Sequence, residues 1–379
     1  MPYKTAVLIG RFSPYHLGHK ALIERALELG DRLLILIGST EQARSLRNPF
    51  TFEERYSMIA DDQRSNASRI TILSLPDDPY DMQAWIKRVQ DAVRIGTADR
   101  NSDVVLIGSE KDARTSQYLN LFPQWKLVTI DAHAPDGRTL DATSLRDAYF
   151  GIGDATREET DGILVGSKIE EIKHMIPSST QQFLLKFAIN GLLGNPTSES
   201  FRGLRREMKF AKSYRTGWRY ADHPSVPPIF VTVDAVVWQA GHVILVKRRD
   251  YPGKGLGALP GGFLNAGEEL VDGAIRELRE ETSIDVPEGI LRNSIKASYV
   301  FDTPHRSSRG RVISHGFLFD LDGEYMSRGM RRGKHQLAKI VGSDDAEKAS
   351  WIPVNELDPR RMFEDHFFIT KRMLSMRGN

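Results

Sequence analysis

The segment after the first apolar run of the chain concentrates residues that can bind phosphate. Residues 6–9 form a short apolar run, and residues 10–19 read G-R-F-S-P-Y-H-L-G-H, with a helix predicted to begin inside this segment. The backbone N–H groups and the positive dipole end at such a strand-to-helix turn favour an anion. His16 and His19 are three residues apart, so both can face one phosphate chain, and Arg11 adds a forked cation. The alternative is a capped helix with two surface histidines.

This pattern, G-R-F-x-P-x-H-x-G-H, resembles the nucleotidyltransferase superfamily with the H-x-G-H signature. Residues 47–55, 106–112 and 118–125 are similar to the nicotinamide-mononucleotide adenylyltransferases of the archaeal type. The resemblance implies adenylyl transfer from ATP to nicotinamide mononucleotide, which gives NAD and pyrophosphate. The catalytic residues that it implies in this domain are Arg11, His16, His19 and Arg146.

The expected mechanism follows from charge. The acceptor is a phosphate monoester, which is largely ionised at pH 7, so no general base is needed. The enzyme has to align the acceptor oxygen, the α-phosphorus and the leaving pyrophosphate and to neutralise their charge. We therefore expect electrostatic stabilisation by histidine and arginine, with Mg²⁺ bridging the phosphates and no covalent intermediate.

A second phosphate element is residues 140–146, L-D-A-T-S-L-R, which resembles the family's I-S-x-T-x-I-R segment at another helix start. A capping box of Ser144 with Asp147 is an alternative that is compatible with phosphate binding. Asp141 stands where serine is usual, so its carboxylate either turns away as a helix cap or alters binding. By resemblance, the residues that bind ATP or its phosphates are Gly10, Phe12, Gly18, Ser39, Gly108, Thr143 and Ser144.

Trp85 lies on a predicted helix behind an acidic turn. In the related enzymes a tryptophan at this place stacks on the nicotinamide ring, and attraction between a pyridinium and an aromatic face explains that choice. A tryptophan of the hydrophobic core is the alternative. By resemblance, the residues that bind nicotinamide mononucleotide are Arg47, Trp85, Lys111 and Asp112.

A predicted helix over about 268–282 carries three glutamates on one face. Glu277, Glu280 and Glu281 follow the i, i+3, i+4 spacing, and like charges at that spacing destabilise a helix. Such a crowd of carboxylates suits a hard divalent cation. Glu268, at the helix start, can reach the same place. The alternative on these residues alone is a solvated acidic helix.

The full segment 262–284 resembles the Nudix box, G-x5-E-x7-R-E-U-x-E-E-x-G-U, with Ser283 in place of the last glycine. The resemblance implies hydrolysis of a nucleoside diphosphate with Mg²⁺, or alternatively Mn²⁺, on Glu268, Glu277, Glu280 and Glu281. The last three would be catalytic, and Arg276 would orient the glutamates. If position 283 needs a left-handed backbone, serine costs about 1 kcal/mol there.

The flanking segments 248–262, 306–311 and 363–366 are similar to the ADP-ribose pyrophosphatase branch of the Nudix enzymes. This implies hydrolysis of ADP-ribose to AMP and ribose 5-phosphate. Gly257 departs from the family, which usually has tryptophan there, and a large apolar contact near the expected site is thereby lost. By resemblance, the substrate-binding residues are Arg248, Gly261, Gly262, Phe301, Arg306 and Arg311.

The elements around these motifs predict two folds. In the first 150 residues, five apolar runs near 6–9, 33–37, 70–73, 104–107 and 126–130 alternate with helical segments near 17–29, 52–62, 82–95 and 114–121. This alternation predicts an α/β fold with a doubly wound, Rossmann-like parallel sheet, whose ligand lies at the carboxyl ends of the strands. The chain after the proline-rich break at 222–228 predicts an α+β Nudix domain.

The segment between them, about 155–220, has helical periodicity and a basic stretch at 202–219, whose simplest interpretation is a solvated helix face. The expected organisation is a nucleotidyltransferase domain at 1–185, a helical extension and linker at 186–225, and a Nudix domain at 226–379.

Composition limits the classes of function. The chain has 379 residues, 40% of them hydrophobic and 27% charged, and a formal net charge of +2. These values fit a globular protein of two or three domains and predict neither nucleic-acid nor membrane binding. Cysteine is absent, which excludes disulfides and fits a reducing compartment. With no signal peptide and no apolar run of 18 residues, a cytoplasmic location is expected. The sequence leaves the oligomeric state open, including a homo-oligomer.

Three further hypotheses compete with a bifunctional enzyme of NAD metabolism. The Nudix domain could sense ADP-ribose without cleaving it, although its four glutamates are intact. The first domain could transfer a nucleotide to another phosphate ester. The Nudix domain could also be inactive, or specific for another nucleoside diphosphate, because of Gly257 and Ser283. The implied small-molecule partners are ATP, nicotinamide mononucleotide, NAD and ADP-ribose.

Overall fold

The structure is a computed structural model that describes residues 3–97, 103–109, 117–130, 140–151, 161–193, 200–217, 227–322, 337–341 and 346–378. The chain divides into two compact units, Met1–Arg205 and Arg206–Asn379. In the described part of the chain, every helix is too short or too polar to cross a membrane.

The first unit is built on a five-stranded sheet. Its strands are β1 (Tyr3–Gly10), β2 (Gly30–Thr40), β3 (Ile70–Pro76), β4 (Val104–Gly108) and β5 (Lys126–Thr129). All neighbours are parallel, in the order β3-β2-β1-β4-β5. The central strands are continuous apolar runs because helices cover both faces of such a sheet. The doubly wound α/β prediction is confirmed, and the order of strands reverses beside β1, where β1 meets β4.

Seven helices follow or separate these strands: α1 (Leu17–Leu29), α2 (Phe52–Asp62), α3 (Met82–Thr97), α4 (Ala142–Phe150), α5 (Asp161–Ile172), α6 (Ser178–Leu193) and α7 (Phe201–Gly217). The predicted helices at 17–29 and 52–62 are confirmed at both ends. Thr51 and Glu54 form the capping box of α2, which explains that sharp boundary. In the predicted helix at 114–121, the described part is a 3₁₀ turn at Gln117–Leu121, and residues 114–116 lie outside the described residues.

In its described residues, the second unit is built on seven strands and three full helices. The strands are β6 (Ile229–Gln239), β7 (His242–Arg248), β8 (Gly257–Ala258), β9 (Gly261–Phe263), β10 (Ile295–Phe301), β11 (Arg311–Asp320) and β12 (Ala346–Pro353). The helices are α8 (Leu270–Thr282), α9 (Glu288–Asn293) and α10 (His366–Ser375). The main sheet has the order β10-β11-β6-β7-β12, with β8 paired to β7 and β9 to β6. It is mixed, since β11 and β6 are parallel and the other pairs are antiparallel.

Helix α8 is held by one core. Its residues Ala274 and Leu278 are fully buried with Val233 and Ala235 of β6 and Phe319 of β11. Because these apolar positions face the sheet, the opposite side of α8 carries the charged residues. The predicted helix start at 268 is two residues early, since Glu269 is the N-cap. The short strand β9 pairs antiparallel with the N-terminal half of β6.

Ser283 ends α8 in the left-handed conformation, with φ 44° and ψ 39°. Its backbone N–H donates to the carbonyl oxygen of Arg279, 2.8 Å away. The Nudix box has glycine at this place because glycine adopts a positive φ without a steric cost. The left-handed position is therefore satisfied by serine at a cost in stability.

We predict that Ser283→Gly stabilises the second unit by about 1 kcal/mol, since the Cβ penalty at positive φ disappears. Urea unfolding followed by circular dichroism measures the change. The matched control is Ser298→Gly, on the exposed side of the extended strand β10, where glycine should lower stability because of its backbone entropy. Equal effects of the two substitutions would contradict the prediction.

Candidate functional sites

The first site begins at the N-terminus of α1, where two histidines cap the helix reciprocally. Nδ1 of His16 accepts from the backbone N–H of His19 at 3.3 Å, and Nδ1 of His19 accepts from the N–H of His16 at 3.4 Å. The rings stack with centroids 3.7 Å apart, and Phe12 lies 4.7 Å from the ring of His19. Since Nδ1 is an acceptor in both rings, a neutral imidazole carries its proton on Nε2, the atom that can donate to a phosphate oxygen.

Three arginines converge beside these histidines. Burial, followed by the charges of Arg47 and Arg146, lowers the pKa of Arg11 to about 9. Burial likewise lowers the pKa of Arg146 to about 10 and also lowers that of Arg47. Asp77 is the acid that opposes this effect at Arg11 and Arg47. Nη1 of Arg11 is buried and has no hydrogen-bond partner among the described residues. Such concentrated, desolvated positive charge is complementary to a polyphosphate.

Arg55 of α2, which the sequence did not single out, joins the loops that carry this charge. Its side chain is 1% exposed. Nη1 donates to the carbonyl oxygens of Arg11 and Gly38 at 2.8 and 2.7 Å, Nη2 to Ser39 at 3.1 Å, and Nε to Thr51 at 3.1 Å. One guanidinium thus ties together the chain at the carboxyl ends of β1 and β2. The signal in the sequence was an arginine at an inward-facing position of an amphipathic helix.

The second phosphate element lies at the N-terminus of α4. Asp141 is its N-cap, and Oδ2 accepts from the N–H and the hydroxyl of Ser144 at 3.0 and 3.2 Å. The alternative that Ser144 caps this helix with Asp147 is therefore wrong. Arg146 donates to the carbonyl of Ser13 at 2.7 Å and to the hydroxyl of Thr143 at 3.1 Å. Arg146 thereby connects the start of α4 with the loop that precedes α1.

The remaining predicted ATP-binding residues lie near these two helix starts. Gly10 and Gly108 end the central strands β1 and β4, and Gly18 is buried in the first turn of α1. Phe12 is fully buried and has a φ of 51°. Ser39, also at φ 51°, donates its N–H to Asp77 at 3.3 Å.

Trp85 of α3 is partly buried and packs against the core of the first unit, with its ring 6.0 Å from that of Phe122. Its place in the first turn of α3, after β3, is at the carboxyl edge of the sheet. The structure brings Arg47 to the arginine group. Lys111 and Asp112 lie outside the described residues.

The second site is a pocket in the Nudix-like unit with a volume of about 210 Å³. Of the predicted residues, Arg248, Gly261, Gly262, Glu281 and Arg306 line it. Sequence reasoning missed several other lining residues, whose side chains come from β6, the β10–β11 loop and the C-terminal segment: Thr232, Asp234, Arg309, Phe363 and His366. In the sequence, Asp234 could have been recognised as a single acidic residue within an apolar strand.

Arg276 organises the carboxylates of α8. It donates to Glu268 at 2.7 and 3.1 Å, to Glu277 at 2.8 Å and to Glu280 at 2.9 Å. The fork holds three of the four predicted ligands in one place. In the described part of the chain and with the side chains as they stand, no three acidic or histidine groups form a preformed metal cluster.

The other carboxylate, Glu281, is buried against the backbone of β9. It accepts from the N–H of Gly261 at 3.1 Å, and burial raises its pKa to about 8. Burial also raises the pKa of Glu277, whose carboxylate occupies the space that a side chain at Gly262 would need. Glycine is thus required at 262 by close approach. Raised pKa values in carboxylates indicate a place where a positive charge would be stabilising.

Three predicted substrate-binding residues have other partners. Arg306 is buried and donates to both oxygens of Asp365 at 2.9 Å, with Asp234 3.9 Å away. Phe301 is fully buried in the sheet, and Arg311 donates to the carbonyl of Asp302. Phe301 and Arg311 are absent from the described lining of the pocket. Arg309 lines it instead, with its guanidinium 5.2 Å from the ring of Phe263.

The structure leaves room for a Cβ atom at position 257. A Cβ there would lie 3.4 Å from a methyl group of Leu245, which is ordinary contact. Its carbonyl accepts from the N–H of Phe363 at 2.8 Å, so its backbone joins β8 to the C-terminal segment. The departure from tryptophan leaves this backbone contact in place.

Comparisons with known proteins assign both units. Residues 7–126 match the model of the cytidylyltransferase-like family, and residues 228–373 match that of the NUDIX domain. The chain is 36% identical over 145 residues to the nicotinamide/nicotinic acid mononucleotide adenylyltransferase of Acinetobacter baylyi, covering 38% of this chain and 74% of that protein. It is 33% identical over 149 residues to the ADP-ribose pyrophosphatase of Methanocaldococcus jannaschii, covering 39% of this chain and 72% of that protein.

One solved structure matches both units together. It is a bifunctional NMN adenylyltransferase/ADP ribose pyrophosphatase from Francisella tularensis, crystallised with AMP and a manganese ion. The TM-score is 0.81 at 31% identity, covering 98% of this chain and 99% of that one. The chain belongs to this bifunctional adenylyltransferase/pyrophosphatase family. The first unit is therefore its adenylyltransferase unit, and the second its Nudix unit, which confirms the resemblance found from the motifs.

We predict that Arg55→Lys lowers NAD synthesis by the adenylyltransferase unit by about tenfold or more. Lysine keeps the charge but cannot donate to four carbonyl groups, and a hydrogen bond from a charged donor contributes about 1.5–3 kcal/mol. Steady-state assays of NAD formation measure the effect. The matched control is Arg64→Lys, an exposed residue of the same unit, which should be silent. Wild-type rates in Arg55→Lys would refute the positioning role.

A second prediction concerns His366, whose Nδ1 accepts from the N–H of Leu259 at 3.0 Å. Burial lowers its pKa to about 3, against about 6.5 in an unfolded chain. Between these values the unfolded chain binds more protons, so stability is lost as the pH falls below 6.5. The free energy of unfolding of the Nudix unit should therefore be about 2 kcal/mol lower at pH 5 than at pH 7 because of His366.

The test compares urea unfolding of the wild type and His366→Asn at pH 7 and pH 5. Asparagine keeps an acceptor near the position of Nδ1 but does not titrate, so the pH dependence should be smaller in this variant. His305→Asn, at an exposed position, is the control and should keep the wild-type dependence. An unchanged dependence in His366→Asn would exclude His366 as its source.

Proposed function

We propose that the adenylyltransferase unit transfers AMP from ATP to nicotinamide mononucleotide, and that the Nudix unit hydrolyses ADP-ribose to AMP and ribose 5-phosphate with Mg²⁺. The observation that carries both assignments is the clustering of like charge. Arg11, Arg47 and Arg146 meet at the H-x-G-H turn, and the carboxylates of Glu277 and Glu281 are partly buried beside β9. The first cluster suits polyphosphate and the second a divalent cation.

In adenylyl transfer, an oxygen of the acceptor phosphate attacks the α-phosphorus of ATP, and the bond to the leaving pyrophosphate breaks. The acceptor is already an anion, so the protein needs no base. The Nε2–H groups of His16 and His19 and the guanidinium of Arg11 stabilise the negative charge on the transferred group. Arg146 does so from the start of α4. These cations act most strongly because they are desolvated before the substrate arrives.

Asp141 need not repel ATP. Its Oδ2 atom is engaged by the N–H and hydroxyl groups of Ser144, so part of its charge is neutralised as a cap. Thr143, held by Arg146, is the residue of this turn that can contact a phosphate. Trp85 supports the choice of a pyridinium acceptor, since its place at the carboxyl edge of the sheet suits stacking on a nicotinamide ring. Together with Arg47, Lys111 and Asp112, it is proposed to bind nicotinamide mononucleotide.

The residues of the Nudix unit fit a divalent cation by their chemistry. Glu268, Glu277, Glu280 and Glu281 supply hard carboxylate oxygens, and Glu277 and Glu281 are partly buried with raised pKa values. These four residues would hold the ion. When bound, it neutralises charge on the diphosphate and lowers the pKa of a water molecule that hydrolysis consumes. Mg²⁺ is the proposed ion, and Mn²⁺ the alternative.

The rest of the pocket supports a nucleoside diphosphate as substrate. The guanidinium of Arg248 lies 4.1 Å from the ring centroid of Phe363, and Arg309 lies over Phe263. Both arginines line the same pocket as Glu281, where they can bind a diphosphate. Arg306 acts through Asp365 as a positioning residue. Hydrolysis adds one water across the P–O–P bridge, so that each product keeps one phosphate.

The competing hypotheses are less well supported. A sensor that binds ADP-ribose without cleaving it would not need three glutamates held by one arginine, with a fourth beside them on helix α8. The family contains both activities, which does not favour another acceptor for the first unit. The proposed domains are residues 1–185 and 226–379, with residues 186–225 between them.

We predict that His19→Ala and Glu281→Gln separate the two reactions. His19→Ala should lower NAD synthesis by about 100-fold or more, because it removes a preorganised donor at the developing charge, and should leave ADP-ribose hydrolysis unchanged. Glu281→Gln should do the reverse. NAD formation from ATP and nicotinamide mononucleotide, and AMP formation from ADP-ribose, are followed by chromatography with Mg²⁺ present.

The control for both variants is Ser298→Ala, at an exposed position of β10, which should retain both activities. If either substitution abolished both reactions, the units would not act independently. If the wild type made NAD but released no AMP, the pyrophosphatase assignment would fail. Other nucleoside diphosphates would then be tested with the same protein.

A further inference from the structure

Helix α7 carries one acidic residue among six basic ones, and that residue is buried. Glu207 is 4% exposed, whereas its neighbour Arg206 is exposed. Oε1 of Glu207 accepts from the backbone N–H of Gly253 at 2.8 Å. Both residues belong to the Nudix unit, although α7 begins in the first unit. A buried carboxylate is costly unless its hydrogen bonds repay the desolvation, so this contact requires an explanation.

The partner of Glu207 lies in a turn that lines the pocket. Residues 249–256 connect β7 to β8, and Arg249 and Asp250 of this turn belong to the wall of the pocket. The backbone of Arg248 closes the turn by bonds to Leu256 and Gly255 at 2.9 and 2.8 Å. Nε of Arg248 donates to the carbonyl of Pro252 at 2.8 Å. Through Gly253, Glu207 thus ties this turn to helix α7.

Gly253 is held from two sides. Its φ is +72°, and a Cβ at this position would collide with the ring of Phe363. On the other side its N–H is bound by Glu207. The ring of Phe363 in turn supports the guanidinium of Arg248, 4.1 Å away. Any displacement of Gly253 therefore changes the ring on which the proposed diphosphate-binding arginine lies.

The same helix also contacts a second segment that contributes to the pocket. Tyr214 is seven residues after Glu207, which places both on one side of α7. Its ring stacks on Phe263 of β9 with centroids 6.1 Å apart and meets Phe230 edge-on at 5.3 Å. Phe263 follows Gly261 and Gly262, which line the pocket and contact Glu281 and Glu277 of α8. One face of α7 therefore supports both the 249–256 turn and β9.

From these contacts we propose that Glu207 is a positioning residue of the ADP-ribose site, which acts through Gly253 to hold the 249–256 turn and Arg248 against the substrate. This inference rests on the proposed function of the Nudix unit and extends it to a residue outside the Nudix domain match at 228–373. The proposal gives helix α7 a role in substrate binding that its basic composition does not predict.

The environment of Glu207 indicates which substitution preserves this role. Burial raises its pKa to about 7, the bond from Gly253 and the charge of Arg248 lower it, and Glu364 raises it. The site therefore tolerates a neutral side chain near neutral pH. Glutamine keeps an oxygen acceptor of the same reach, whereas alanine leaves the N–H of Gly253 without its partner, which costs about 1–3 kcal/mol.

The test compares Glu207→Ala and Glu207→Gln in hydrolysis of ADP-ribose with Mg²⁺. We expect Glu207→Ala to raise KM about tenfold, which corresponds to about 1.4 kcal/mol, and to change kcat by less than about threefold, because the glutamates of α8 are not touched. Glu207→Gln should restore KM to within about twofold of the wild type. Lys209→Ala, on an exposed position of α7, is the matched control, and NAD synthesis should be unchanged in all variants.

Binding of ADP-ribose without metal, measured by calorimetry, provides a readout that does not depend on turnover. Its dissociation constant should rise about tenfold in Glu207→Ala alone. An unchanged KM and affinity in Glu207→Ala would overturn the proposal, as would a defect of the same size in Glu207→Gln or a loss confined to kcat. Wild-type protein that binds ADP-ribose but does not hydrolyse it would contradict the proposed function, while the affinities would still decide the role of Glu207. Absence of binding would contradict both.

Discussion

A guanidinium that donates to oxygen atoms of its own chain holds each of the two sites together. In the adenylyltransferase unit, the buried Arg55 binds three carbonyl groups around the ends of β1 and β2 and that of Thr51 at the start of α2. In the Nudix unit, Arg276 binds three glutamates and Arg306 binds Asp365. The planar fork of arginine fixes direction as well as distance, and it stays charged when buried. Site residues that lie on loops, such as Arg11, are therefore held in a defined geometry.

Both sites place charges of one sign close together. In the first site, the charges of Arg47 and Arg146 help to lower the pKa of Arg11, and the charge of Arg47 helps to lower that of Arg146. In the second, burial raises the pKa of Glu277 and Glu281. Such repulsion lowers stability, and it is relieved when an ion of opposite charge binds. Close packing of the apolar core beneath, for example around Leu278, contributes the stability that offsets this cost. Ser283 adds a smaller, local cost that is unrelated to the chemistry.

The sites are assembled from parts that are distant in sequence. Arg146 donates to Ser13 across 133 positions, and the Nudix pocket is lined by residues from 232 to 366. The helix α7 extends this assembly beyond the region matched by the domain family, because Glu207 and Tyr214 contact the 249–256 turn and β9, two segments that contribute residues to the pocket. The Nudix domain as the family model defines it, residues 228–373, therefore does not contain all of the residues that contact the pocket segments. Glu207 and Tyr214 lie before its first residue.

The sequence by itself determined the features whose cause is local. Apolar runs and helical periodicity predicted the five parallel strands and helices such as α1 and α2, and the spacing of the two motifs predicted which residues share a turn or a helix face. Only the tertiary structure decided which distant groups meet: Arg55 at four carbonyl groups, Arg309 and His366 in the pocket, Phe301 and Arg311 away from it, and Asp141 as a cap. The short strands β8 and β9 belong to the same class, because they exist through pairing with β7 and β6. Local spacing fixes neighbours along an element, whereas burial and long-range hydrogen bonds depend on how complete elements pack.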